Sequence, residues 1–359
     1  MTEAELQVLC ISPAHSIRQA TVCIDRGGHG IAIVVDEDTH LLGTVTDGDV
    51  RRAMLGSVDL NAPVSVLLAR KADSPHPRPL TAPLGTPREI LLRLMQERVL
   101  RQIPLLDEAG RVRDLALLTD LMPTQVLPLQ AVIMAGGFGT RLRPLTEQLP
   151  KPMLPIGDRP LMERIIVQLR EAGIRQVNVA THHQRERIIG HFGDGQAFGV
   201  ELNYVNEDRP LGTAGALGLM PTPQGPLLVI NGDILTQVDL RAMVAFHQEH
   251  RANMTVGVRQ YSLQVPYGVI ECDGPYVQRM TEKPQLRFFV NAGIYLLEAT
   301  VHRYIRADQR FDMTDLIQCL LDDNQSVVSF PIHEYWLDIG EHHDYAQAQE
   351  DVENGRIAP

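Results

Sequence analysis

Residues 132 to 156, VIMAGGFGTRLRPLTEQLPKPMLPI, concentrate side chains and backbone suited to handling phosphate. Glycines stand at 136, 137 and 139, cations follow at Arg141 and Arg143, and Lys151 is fixed between Pro150 and Pro152. Glycines let a backbone approach a ligand closely and offer N–H groups to anionic oxygens. Arg141 adds a planar fork that matches phosphate, whereas a lysine stiffened by two prolines is a point charge at a set distance. The stretch therefore reads as a seat for a polyphosphate. A phosphate loop ending in G-K-[ST] is excluded because Thr140 and Arg141 follow Gly139. A dinucleotide fingerprint fails at its third glycine, where Leu142 stands. A purely structural turn leaves the cations at 141, 143 and 151 unexplained.

Such a loop needs a strand to deliver it and helices to hold it. AVIMAG reads as that strand. RPLMERIIVQLREAG reads as a helix, with Leu161, Ile165, Ile166 and Leu169 on one face and Gly173 as its stop. VNVAT, ELNYVN and LLVINGD read as further strands, separated by helical segments at 184–192 and 213–219. Alternation of this kind predicts a largely parallel sheet covered on both faces. After Asp233 and a helix at 239–249, MTVGV, YGVIEC, VQRMTEK and VNAGIYLL follow with little helix between them. They predict an antiparallel extension able to wall one side of a pocket, followed by helices near 312–322 and 341–351.

The first third repeats itself. IVVDEDTHLLGTVTD (33–47) returns as PLLDEAGRVRDLALLTD (104–120), each copy an apolar strand, an acidic turn, a second apolar strand and Thr-Asp. Two copies predict one pseudo-symmetric module, and the proline-containing LMPTQVLPLQ (121–130) reads as the linker after it.

The chain has 359 residues, 44% hydrophobic and 21% charged, with a formal net charge of −11. That composition fits folded domains throughout and gives no global positive field for nucleic acid or an anionic membrane. MTEAELQVLC lacks the basic and apolar regions of a signal peptide, and no apolar run reaches bilayer length, so a cytoplasmic protein is expected. Cys10, Cys23, Cys272 and Cys319 are scattered and read as reduced. The neighbouring pairs His182-His183 and His342-His343 read as exposed or capping residues rather than metal ligands.

The opening stretch also closely resembles the signature of sugar-1-phosphate nucleotidyltransferases, and the resemblance continues over about residues 130–350 through PLGTAGAL (210–217), LVINGDIL, TEKP, VNAGIYLL and WLDIGEHHDY. It implies an α/β architecture, with a Rossmann-like nucleotidyltransferase domain of mixed sheet over residues 131–359. The implied reaction joins a nucleoside triphosphate (NTP) to a sugar 1-phosphate with release of pyrophosphate, aided by Mg²⁺. Carried onto this chain, the resemblance assigns Arg141, Lys151 and Lys283 to catalysis and Asp233 and Asp338 to the metal. It assigns Ala135, Gly136, Gly137, Gly139, Thr140, Gly212, Thr213 and Gly215 to the nucleotide, and Gly268, Glu282 and Asn291 to the sugar.

GTVTDGDVRRAM similarly resembles the end of a CBS domain, implying an α+β tandem CBS pair over residues 1–123 and a linker at 124–130. Such pairs bind adenine nucleotides through the ribose, here through Thr46 and Asp49. The matching positions of the second copy are Thr119 and Met122, and a methionine cannot accept the ribose hydrogen bonds. A dimerising module without ligand is the alternative, and either way a homo-oligomer is expected. The CBS pair fused to a short transferase resembles the glucosamine-1-phosphate guanylyltransferases of GDP-linked legionaminic acid biosynthesis, which implies GTP and glucosamine 1-phosphate. Thymidylyl, uridylyl or mannose-1-phosphate guanylyl transfer stays open at this stage, as does an inactive nucleotide-sensing regulator.

Overall fold

Strand Gln130–Met134 is apolar at Ala131, Val132 and Ile133 because it runs through the middle of a sheet, with all three fully buried. A parallel strand covered on both faces needs a continuous apolar run. In the computed structural model, which describes residues 3–72, 77–121, 126–306 and 309–357, this strand is third of seven. The order is Glu201–Asn206, Gln176–Thr181, Gln130–Met134, Leu227–Asn231, Gln285–Leu297, Met254–Gln264 and Val327–Ile332. The first four run parallel, Gln285–Leu297 is antiparallel to both its neighbours, and the last pair is parallel again. The sheet is therefore mixed.

One face of the sheet, with Ala131 and Ile133, is covered by Met162, Ile165, Ile166 and Leu169 of helix Leu161–Glu171. The other face, with Val132 and Val229, packs on Met313, Leu316 and Leu320 of helix Met313–Asp322. The antiparallel extension has a different form from the four short strands the sequence predicts. Met254–Gln264 and Gln285–Leu297 are two long paired strands, and a separate hairpin, Val269–Asp273 with Tyr276–Thr281, lies between them in sequence. The segment expected as one helix at 213–219 is a single turn, Gly212–Gly215, followed by a 3₁₀ turn, Ala216–Leu219. Three glycines in seven residues make a longer helix costly there.

The chain divides into two compact units, Met1–Gln125 and Val126–Pro359. The first contains the duplication in full. Cys10–Ile11, Ile31–Val35 and Leu41–Thr46 form one three-stranded sheet, and Ala82–Pro83, Gln102–Leu106 and Val112–Leu117 form another. Each has a parallel then an antiparallel pairing, with a register irregularity near the end of its middle strand. Helix Ile17–Gly27 follows the first strand of the first copy and precedes its other two, started by a capping box between Ser16 and Gln19, and Arg88–Arg98 occupies the same place in the second. Among the described residues, no helix is long and apolar enough to cross a membrane.

Candidate active site

The glycine loop leaves strand Gln130–Met134 with Ala135 N–H donating to Ala180 O at 2.8 Å. Gly139 has φ +60°, and a Cβ there would lie 2.9 Å from Thr146 Cγ2 and 3.3 Å from Lys151 Cβ. Thr146 Oγ1 donates to Gly139 O at 2.7 Å. These contacts fold the loop back on itself, so Lys151 arrives beside the glycines although twelve positions separate it from Gly139. Leu142, at the place of the missing third glycine, is a fully buried core residue. Thr140 and Arg141 are exposed in the 3₁₀ turn Thr140–Leu142.

Lys151 is buried, and its Nζ donates to Asp233 Oδ2 at 2.6 Å. Asp233 follows Asn231-Gly232 at the end of strand Leu227–Asn231, where a Cβ on Gly232 would meet Met134 O at 2.8 Å. The glycine thus lets this strand end close beside the glycine-loop strand. Asp338 reaches the same place from far along the chain: Ile234–Thr236 pairs antiparallel with Trp336–Asp338, Ile234 opposite Asp338, and Ile339 N–H donates to Asp233 O at 3.0 Å. The Asp338 carboxyl is pushed above the ordinary carboxylate range, by desolvation first and by the charge of Asp233 second, with Lys151 and Arg141 opposing. Arg141 closes the group: a Cβ on Gly340 would lie 3.7 Å from its guanidinium and 3.9 Å from Asp338 Oδ1.

Arg141, Lys151, Asp233 and Asp338 therefore meet at the mouth of the glycine loop. Two hard carboxylate oxygen donors that repel each other form a donor set that fits Mg²⁺, since a divalent cation would relieve the repulsion. The N-terminus of helix His342–Glu353 frames this corner, with Gly340 and Glu341 N–H both donating to Asp344 Oδ2 and His342 Nε2 2.8 Å from Arg143 O.

The sugar-side residues fall into two groups. A Cβ on Gly268 would lie 3.0 Å from Glu282 Oε2, so these two are adjacent on the extension. Asn291 hydrogen-bonds the Tyr295 phenol, which is buried, raised by that burial, and within reach of the Asp233 charge. Asn291 is thereby linked to the carboxylate pair. Lys283 is exposed at φ +44° on the extension, and among the described residues no hydrogen bond or ion pair joins Lys283 or Glu282 to the four clustered side chains.

Two expected groups are engaged within the protein. Thr213 N–H donates to Asp312 Oδ1 at 3.2 Å, Gly215 N–H donates to Phe311 O at 2.8 Å, and Thr213 Oγ1 accepts from Met313 N–H at 2.9 Å. Those contacts hold the loop to segment 311–313. In the first copy of the N-terminal repeat, Asp49 is 6% exposed. It accepts from Thr46 N–H and Oγ1 at 2.8 and 2.9 Å, from Arg52 at 2.7 Å, and pairs with Lys71 at 2.5 Å. Burial works against its ionisation, yet Lys71, Thr46 and Arg52 hold the carboxyl below the ordinary range. Thr46 and Asp49 cap helix Asp47–Leu55 in this conformation rather than opening toward a ribose. Met122 and the Thr119 side chain lie outside the described residues.

Sequence reasoning gives Glu207 and Phe138 no role here and reads His182 as exposed or capping, whereas His182 is half-buried. Glu207 is buried, accepts Leu211 N–H at 2.9 Å, and stands 2.7 Å from the Cβ position of Gly136. Its carboxyl is raised by desolvation, with Leu211 N–H and His182 opposing. His182 Nδ1 lies 2.7 Å from Glu207 O, and the exposed Phe138 sets its ring edge-on to His182 at 5.4 Å. Glu207 thus joins the glycine loop to the PLGTAG loop. The signal available was an acidic residue just ahead of that motif.

Comparison with known proteins agrees with this geometry. A nucleotidyl transferase family model matches residues 130–355, and a CBS domain model matches residues 1–56. The UTP–glucose-1-phosphate uridylyltransferase of Synechocystis is 34% identical over 241 residues, covering 61% of this chain and 62% of that protein. The mannose-1-phosphate guanylyltransferase of Mycobacterium tuberculosis is 31% identical over 238 residues, covering 64% of this chain and 66% of that one. The chain therefore spans slightly under two thirds of the length of these relatives. Among solved structures, a "Putative Glucose-1-Phosphate Thymidylyltransferase" from Bacillus anthracis, in complex with a sucrose, aligns with a TM-score of 0.52 at 25% identity, over 64% of this chain and 96% of that one.

Proposed function

Because this chain belongs to the nucleotidyl transferase family, we propose that it joins an NTP to a sugar 1-phosphate and releases pyrophosphate. The observation that carries this reading is the convergence of Arg141, Lys151, Asp233 and Asp338 at the glycine loop. A sugar phosphate is already ionised near neutral pH, so no protein nucleophile is needed and the protein supplies position and countercharge. A sugar phosphate oxygen forms the new bond to the α-phosphorus as the bridging bond to the β-phosphate breaks, and the electron pair leaves on pyrophosphate.

In this reading the backbone of Ala135, Gly136, Gly137, Gly139 and Thr140 seats the triphosphate. Arg141 neutralises charge that builds on the phosphorus and the leaving pyrophosphate. Lys151, fixed by Asp233, holds the α-phosphate, and Lys283 approaches the sugar phosphate from the extension. Gly268, Glu282 and Asn291 receive the sugar. Asp233 and Asp338 would hold Mg²⁺, which supplies charge neutralisation at the α-phosphate when bound.

We further propose GTP as the donor and glucosamine 1-phosphate as the acceptor. The guanylyltransferase relative supports the base, and the amino sugar rests on the resemblance of a transferase preceded by a CBS domain to the glucosamine-1-phosphate guanylyltransferases. In the same reading the CBS pair adds control by an adenine nucleotide, entering once Lys71 leaves Asp49, in a cytoplasmic homo-oligomer. The four free cysteines suit a reducing compartment.

The test is pyrophosphate release with Mg²⁺, crossing GTP, dTTP, UTP, CTP and ATP with the 1-phosphates of glucosamine, N-acetylglucosamine, glucose and mannose. Turnover with GTP and glucosamine 1-phosphate above all other pairs is expected. Another preferred pair would overturn the base or sugar assignment alone, and silence with every pair would overturn the enzymatic reading. Arg141→Ala should lower kcat on the order of 10²- to 10³-fold while changing KM much less.

A further inference from the structure

Strand Leu227–Asn231 pairs with Gln285–Leu297 from Leu227 opposite Leu297 to Ile230 opposite Ile294, and there the pairing stops. The next residues in register are Asn231 and Gly293. Gly293 has φ +70°, and a Cβ on it would lie 2.7 Å from Asn231 Nδ2 and 3.1 Å from Asn231 Cγ. The glycine thus leaves room for an amide side chain between the strand that leads to Asp233 and the strand that carries Asn291. On the far side of the same strand, the register jumps from Tyr295 opposite Val256 to Asn291 opposite Val258, so residues 292–294 bulge.

At this bulge the hydrogen bonding is unbalanced. Gly293 is buried, and its N–H donates to Asn291 Oδ1 at 3.0 Å. Asn291 also hydrogen-bonds the Tyr295 phenol, so the side chain assigned to the sugar is held within the protein. Asn231 Oδ1 is buried and, among the described residues, accepts no hydrogen bond. A buried acceptor without a donor destabilises a fold, and native proteins keep few of them. One buried backbone donor therefore has two asparagine side chains against it, one engaged and one idle. The backbone between them is fixed from both sides: Trp336 Nε1–H donates to Ala292 O at 2.8 Å, and Ile294 is still paired with Ile230. A sugar that engages Asn291 must then move the side chain and not the strand. That movement strands the Gly293 N–H, which a buried backbone donor does not tolerate without a second acceptor.

We propose that Asn231 is a positioning residue for the sugar: as Asn291 turns from Gly293 toward the sugar 1-phosphate, Asn231 Oδ1 takes over the Gly293 N–H. One hydrogen bond breaks and one forms on the same donor, so Asn291 is released at little net cost. The idle acceptor is satisfied in the loaded site. Asn231 touches no reacting atom in this exchange and acts through Asn291. The inference rests on the proposed transfer reaction and deepens it, by naming what frees its sugar-binding side chain.

The test is a double-mutant cycle of Asn231→Leu and Asn291→Ala in the full chain, read by thermal melting and by steady-state kinetics. Leucine keeps the branch at Cγ and removes the acceptor. In the otherwise wild-type chain the change removes an idle buried oxygen, so Tm should rise by about 2–4 °C. In the Asn291→Ala background Asn231 is the acceptor left for Gly293, and the same change should lower Tm instead. A side chain that merely fills space would shift Tm in the same direction in both backgrounds, and that result would overturn the proposal. Hydrogen exchange gives a reading that needs no change at Asn231. The Gly293 amide should stay protected in Asn291→Ala, whose altered position is exposed, and rapid exchange there would overturn the proposal as well. In pyrophosphate release, Asn231→Leu should raise KM for glucosamine 1-phosphate about tenfold and leave kcat and KM for GTP within about twofold. With Asn291→Ala already in place it should add no further rise. An unchanged KM in the folded single variant would overturn the exchange. Silence of the wild type with every NTP and sugar phosphate would overturn the transfer reading, and the melting and exchange results would then decide the hydrogen-bond exchange by themselves.

Discussion

At Gly136 the loop leaves no space for a side chain, because a Cβ would meet Glu207 Oε1 at 2.7 Å and Glu207 is itself buried. Gly136→Ala should cost about 1–3 kcal/mol of stability, the usual range for overpacking, read as a lowered Tm. Glu207→Ala removes the obstruction but strands the Leu211 N–H, so the double variant should recover only part of the loss, and the two changes should couple in a double-mutant cycle. Lys151→Met should act on turnover, lowering kcat on the order of 10²-fold in the pyrophosphate assay, because Asp233 then faces Asp338 without its cation. Gly139, Lys151, Asp233 and Asp338 are legible in the sequence because each sits in a rigidly spaced motif. Glu207 is legible only as an acidic residue ahead of PLGTAG, because its contacts to Gly136 and His182 join segments distant in the chain, and Tyr295 reads as one more apolar position of its strand.

Between residue and molecule, the PLGTAG turn takes its shape from a different element. Asp312 caps helix Met313–Asp322 and also accepts Thr213 N–H, and Gly212 at φ +82° is the only residue type that fits against it, with a Cβ position 2.4 Å from Asp312 Oδ1. Asp312→Ala should therefore lower stability by about 1 kcal/mol, the worth of a cap. It should also raise the KM for the NTP while leaving that for the sugar phosphate near its original value, which steady-state kinetics with each substrate varied in turn would show. The parallel strands, the helix Leu161–Glu171 and the duplicated sheets follow from periodicity in the sequence. The pairing of Met254–Gln264 with Gln285–Leu297 does not, because an inserted hairpin separates the two strands in the chain. Nor does the engagement of Thr213 and Gly215, since it depends on segment 311–313, about a hundred residues further on.

Each of the two units has its own apolar core. Ile17, Val34 and Val50 lie in one cluster of the first unit, and Ile133, Ile166 and Leu296 lie in one cluster of the second. The first unit carries a pH signature through Asp49. Its carboxyl is depressed in the folded state, so the stability it contributes is complete above the unfolded value of about 4 and is lost as pH falls through the lower folded value. Lys71→Ala removes the strongest of the attractions holding it down. The variant should melt below the wild type near pH 7, and the gap should narrow as pH falls below about 4. The second unit contains every residue assigned to the reaction, from Ala135 to Asp338. Residues 126–359 made alone should therefore fold cooperatively and keep kcat/KM for pyrophosphate release within about threefold of the full chain, a change of well under 1 kcal/mol in barrier height. An adenine nucleotide should then alter turnover of the full chain and leave the isolated unit unchanged. A folded but inactive 126–359 fragment would instead make the first unit part of the catalytic apparatus, and control by that unit would no longer be separable from the chemistry.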